Sequence, residues 1–163
     1  MTIRKAEQAN YFDTTVAQGN SQGEIIGMLE EFGAESIMVA QGNAKGRFAW
    51  MIRFQWLGHT YRFVFTPLEC EEPEKITSYG GKRRTHAEQA RYQMGRIAVH
   101  FVKAVLTAAE AQPNALFGFM ELPGMATSGG FAPVAGELDV NELIDASPLL
   151  QLPMLVERWK DEK

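Results

Sequence analysis

The chain has one cysteine, Cys70, and a single thiol excludes an internal disulfide. Histidines are scarce too: His59, His86 and His100 have no ligand spacing to one another or to Cys70, so no structural zinc motif is present. No apolar run approaches the roughly 20 residues that a membrane-spanning helix requires. The opening stretch MTIRKAEQANYFDTT lacks the apolar centre of a signal peptide, and a cytoplasmic location without membrane contact is expected. The glycine pairs at 80–81 and 129–130 lack the Lys-Ser/Thr ending of a phosphate loop. Glu69, Glu71, Glu72 and Glu74 have neither a matching second carboxylate set nor the spacing of a calcium loop, and read as a charged connection. No nucleophile–base pair is apparent, so neither catalytic residues, a metal nor a cofactor are expected.

What is present is ordinary globular material, 163 residues with 45% hydrophobic and 22% charged, enough for one domain with a real core. The net charge of −4 argues against a general nucleic-acid coat, but it is unevenly spread. Residues 1–111 hold 13 Lys and Arg against 12 Asp and Glu, whereas 112–163 hold 3 against 8. Between 75 and 103 stand seven bases and one acid, Glu88, which makes an anionic partner a reasonable expectation.

The strongest single signal is the run from Thr85 to Gln112. Thr85 and Glu88 make a capping box, and Pro113 ends the run. At 100° per residue Ala87, Ala90, Met94, Ile97, Ala98, Phe101, Val105 and Ala108 share one face, with Gln89, Arg96, His100, Lys103 and Thr107 opposite. Val99, Val102 and Leu106 form a second apolar strip, so the helix is expected to have neighbours on two sides.

Before it, residues 1–20 read as a polar arm, ordered on contact or frayed. Ser21 with Glu24 is placed to cap a first helix through Ile25, Met28, Leu29 and Phe32, with Gly33 as its stop. Ser36–Gln41 favours a strand, Gly42–Gly46 a loop, and Arg47–Leu57 alternates with Phe48, Trp50, Ile52, Phe54 and Trp56 on one face. A turn centred on Gly58-His59 would pair Leu57 with Thr60, Trp56 with Tyr61, Phe54 with Phe63 and Ile52 with Phe65. This aromatic face reads as core rather than as a base-stacking platform. Leu68–Arg84 reads as an unusually long loop. Leu116–Leu122 reads as a helical turn or a final strand, Pro123–Gly136 as a loop, and ELIDA, capped by Asp139 or Asn141, as a short helix. The apolar run LLQLPMLVERW from Leu149 is expected to dock on the second strip of the long helix, on a second copy, or on a partner.

The expected fold is therefore α+β in two layers: helix, three-stranded antiparallel meander, long helix, and a C-terminal extension. Its divisions are an arm at 1–20, a core domain at 21–122, and a loop with an acidic and apolar extension at 123–163. Glu24-Ile25, Phe32-Gly33-Ala34, Gly58 to Phe63, Pro67-Leu68, Arg83-Arg84, Ala87-Glu88-Gln89 and Lys103-Ala104 together resemble a group of uncharacterised small proteins of phages, prophages and bacterial mobile elements. The resemblance covers roughly 21–112 and implies such an origin, in a bacterial host, with no settled activity. The element order is also similar to that of the double-stranded RNA-binding domain, which grips phosphates with bases at the start of its second helix; the long loop and long helix depart from it.

Lys82, Arg83, Arg84 and Arg91 at the start of the long helix, with Lys45, Arg53 and Arg62, are accordingly the candidate nucleic-acid contacts of a small accessory protein. The alternative is a protein–protein adaptor or inhibitor that acts, or self-associates, through its C-terminal extension.

Overall fold

The structure is a computed structural model and describes residues 3–122 and 132–139. Helix α1 (Gln18–Phe32) is followed by strands β1 (Glu35–Ala44), β2 (Arg47–Trp56) and β3 (His59–Phe65). A hairpin of β4 (Ile76–Tyr79) and β5 (Lys82–Thr85) then leads into helix α2 (His86–Ala111). Strands β1, β2 and β3 form one antiparallel sheet in that order, and β4–β5 is a separate ribbon. The α+β class and the helix, meander, helix order are those expected.

The core forms where the alternation of β2 and β3 presents one face to the helices. Trp50, Ile52 and Phe54 are fully buried, and Phe63 and Tyr61 nearly so, among Ile25 and Leu29 of α1 and Met94, Ala98, Val102 and Leu106 of α2. Each of the buried Ile, Leu, Val, Phe and Met side chains contributes about 1.5–3 kcal/mol. Ser21 and Gly95 mark a close approach of the helices, since a Cβ on Gly95 would sit 3.1 Å from that of Ser21 and 3.0 Å from the Trp50 ring.

The turns shift the expected registers. Helix α1 begins one turn early, behind Ala17, so Ser21 is buried inside it and does not cap it. Gly33 does end it, in the left-handed conformation. Strand β1 runs on through Gly42 to Ala44, because Lys45-Gly46 alone make the turn, both at positive φ. The β2–β3 turn is Leu57-Gly58, again both at positive φ, as a two-residue hairpin of primed type requires. Trp56 therefore faces His59, Phe54 faces Tyr61 and Ile52 faces Phe63. This is a slip of two residues from the expected pairing, and because the side-chain period is two it leaves every residue on its expected face.

The long loop expected at 68–84 is half ribbon, with Gly80-Gly81 at its turn. The sequence hid it because Ser, Gly and Lys are weak strand formers and the strands have four residues each. Helix α2 carries both hydrogen bonds of the capping box. Its buried stripe is rotated from the expected face: Val99, Val102 and Leu106 are inside, whereas Phe101 is exposed and Ala108 is on the surface. The second strip is thus already covered by the core. Gln89, expected on the polar side, is fully buried against the N-terminal residues. Pro113–Phe119 makes a 3-10 helix, after which Met120 bridges to Tyr61 and Glu121 to Val134, so Leu116–Leu122 is turn first and strand-like after.

Except at 132–139, the expected loop beyond Pro123, the helix ELIDA and the apolar run from Leu149 lie outside the described residues. Among the described residues no helix is long and apolar enough to cross a membrane.

Candidate nucleic-acid interface

The seven candidate bases fall in four places. Strand β5 carries Lys82, Arg83 and Arg84, and only the first two are exposed. Arg84 is buried: its Nη1 donates to Gln89 Oε1 at 3.0 Å, and its guanidinium carbon lies 3.9 Å from the centre of the Tyr92 ring. The helix start behind them is also engaged. The N–H of His86 donates to Lys75 O at 2.9 Å, that of Ala87 to Pro73 O at 3.0 Å, and that of Glu88 to Thr85 Oγ1 at 3.2 Å. A phosphate seat at this helix end would need those donors, and all three are taken.

Arg53 and Arg62 face each other across β2 and β3 on the outer side of the sheet. Arg53 grips Glu121 with two hydrogen bonds of 2.9 Å, Nε to Oε1 and Nη2 to Oε2, which hold its guanidinium above its ordinary pKa. Arg62, 9% exposed, lies 3.7 Å from Glu121 and 3.8 Å from Glu137. These arginines fasten the segment after α2 to the sheet and do not line an open basic groove. Lys45 is exposed at the β1–β2 turn.

Arg91 is different. It projects from the second turn of α2 with its guanidinium carbon 4.3 Å from the centre of the Phe48 ring, a cation–π contact that orients the group without neutralising it. Arg47, next to Phe48, donates from Nη2 to Pro67 O at 2.6 Å. Arg47 and Arg91 stand together in an open cleft of about 390 Å³ whose other walls include Ala87, Glu69 and Cys70. Glu69 is bound to Lys5 at 2.8 Å, and that hydrogen bond, the Lys5 charge and then the Arg47 charge lower its pKa. Burial first, and the Glu7 carboxylate next, push the Cys70 thiol up, which keeps it protonated and unreactive at neutral pH. Comparison with protein-family models, curated proteins and solved structures finds no match.

One constellation had no sequence signal, since its members lie far apart in the chain. Glu7 Oε1 accepts from His86 Nδ1 at 2.9 Å, and His86 Nε2 lies 3.1 Å from Thr77 Oγ1. Carboxylate, imidazole and hydroxyl in series form the nucleophile–base pair that sequence reading did not find. Both Glu7 oxygens, however, also accept from the N–H of Glu71, Oε1 from that of Glu72 as well, and the His86 ring packs edge-on to Phe12. The His86 side chain is 7% exposed. The series ties the N-terminal residues, the 69–72 connection and β4 into one unit, which is work for a bracket rather than a catalyst. Among the described residues no group of three metal-ligating side chains converges.

Proposed function

We propose that the protein is a small nucleic-acid-binding accessory protein, of the phage or mobile-element kind that its sequence resembles, with no chemistry of its own. The observation that carries this reading is the pair Arg47 and Arg91, set on two walls of one cleft around the half-buried ring of Phe48. Lys82 and Arg83 add charge on the ribbon that runs into the helix wall, and among the described residues none of these four bases has an acidic side chain within ion-pair distance. Guanidinium groups of this kind hold phosphate oxygens through paired N–H donors, a contact that positions a strand without reading its sequence. Arg84 and Arg62 are buried and Arg53 is held by Glu121, so these three are left out of the binding surface.

Titration of labelled single- and double-stranded DNA and RNA at several salt concentrations tests the reading. Each lost phosphate contact lowers the slope of log K against log salt by about 0.7–0.9, so Arg47→Ala with Arg91→Ala should reduce it by about 1.4–1.8. Absent or salt-independent binding sinks the proposal, as does an unchanged slope in the double variant. The adaptor alternative, acting through the C-terminal extension, predicts no nucleic-acid binding at any salt; the exposed Met38 and Val64 offer a protein partner the outer sheet face as well.

A further inference from the structure

Strand β1 is an edge of the three-stranded sheet, and among the described residues it pairs with β2 alone. Its ladder begins at the two-residue turn Lys45-Gly46, so Ala44 and Arg47 form the first hydrogen-bonded pair and the bonding alternates from there. Ala44, Gly42, Ala40 and Met38 point their backbone groups at β2. Asn43, Gln41 and Val39 point theirs outward, and among the described residues nothing receives them. Natural edges are guarded by charge, proline, a bulge or a covering element; the bulge of β1 lies between Glu35 and Met38, at its start, and Met38 to Ala44 run in regular register with β2. Residues 36–44, SIMVAQGNA, have no charge and no proline.

We propose that two copies of the chain pair antiparallel through β1, joining their meanders into one six-stranded sheet. The charges choose this partner. The ionised groups at the ends of the strand are Glu35, its first residue, and Lys45 in the turn after it, and both are exposed. A two-fold axis at Ala40 sets Val39 opposite Gln41 of the second copy and brings each Glu35 end beside the other copy's Lys45, twice by symmetry. A parallel arrangement would instead set like charges together. The pairing also extends the outer face formed by Met38, Ala40, Met51 and Val64, covering part of Met38, now 39% exposed. This inference is independent of nucleic-acid binding, which uses neither Glu35 nor the β1 backbone.

Light scattering of the full chain at micromolar to submillimolar concentration should give about twice the 18.2 kDa of one copy. Gln41→Pro removes an N–H that faces away from β2, so its circular dichroism should match the wild type while its mass falls to one copy. Glu35→Lys should also weaken the dimer, and adding Lys45→Glu should restore it. A monomeric wild type overturns the proposal, and so does a dimer indifferent to Gln41→Pro. A monomer whose Val39, Gln41 and Asn43 amides resist hydrogen exchange overturns it in favour of cover by another part of the same chain.

Discussion

Replacing Gln89 with leucine should destabilise the fold by about 3–5 kcal/mol, although the side chains are close in volume and leucine is a good helix former. Gln89 is fully buried near the start of α2. Its Nε2 donates to Phe12 O at 2.7 Å and Thr14 O at 2.8 Å, and its Oε1 accepts from the buried Arg84. One turn on, Gln93 Nε2 reaches the carbonyls of Ala6 and Asn10 at 3.0 and 2.8 Å. The N-terminal residues have little regular structure, so two glutamines at i and i+4 on the helix supply the donors that a strand partner would otherwise give. Leucine leaves two carbonyls and one guanidinium N–H without Gln89, at about 1–3 kcal/mol for each group held from water. Urea unfolding should show a lower midpoint at unchanged slope, and limited proteolysis should cut first between Ala9 and Ala17. A loss below about 1 kcal/mol would show that water replaces the amide at no cost.

The sequence announced whatever depended on local periodicity. The aromatic alternation of Phe48 to Trp56 fixed the core face so firmly that a two-residue slip in the hairpin moved no side chain across the sheet. The capping box placed the start of α2 to within a residue. Contacts between distant residues were silent. Nothing near Gln89 or Gln93 says that the helix side bearing them will be sealed by residues 6–14, so Gln89 reads as part of the polar face and Gln93 goes unremarked. The basic run Lys82 to Arg84 read as a loop because its strand partner is the short, polar Ile76–Tyr79; once paired, Arg84 goes inward. Arg91 is legible as a candidate, but its cleft partner Arg47 comes from another element and is not among the bases the sequence singles out. A base counts toward a binding surface only after its internal partners are known, and a sequence cannot list those partners.

The same logic makes Glu7 the residue on which acid stability turns. Burial alone would raise its pKa, but the N–H groups of Glu71 and Glu72, its own backbone and the His86 imidazole outweigh that effect and bring it down to about 2. An unfolded glutamate titrates near 4.3, to a first approximation. Because the folded value is the lower one, the carboxylate stabilises the fold fully above the unfolded pKa, and this contribution drains away as pH falls towards 2. A shift of this size is worth about 2–3 kcal/mol once partial contact with solvent is allowed for, the side chain being 16% exposed. Glu7→Gln should therefore lose about that much at neutral pH, and the gap between variant and wild type should close between about pH 4.5 and 2. Other carboxylates also titrate in that window, so the difference between the two proteins is the quantity to measure. A gap that stays constant from neutral to acid pH would mean that the glutamate acts by shape alone and that its charge does not hold the N-terminal bracket to β4 and α2.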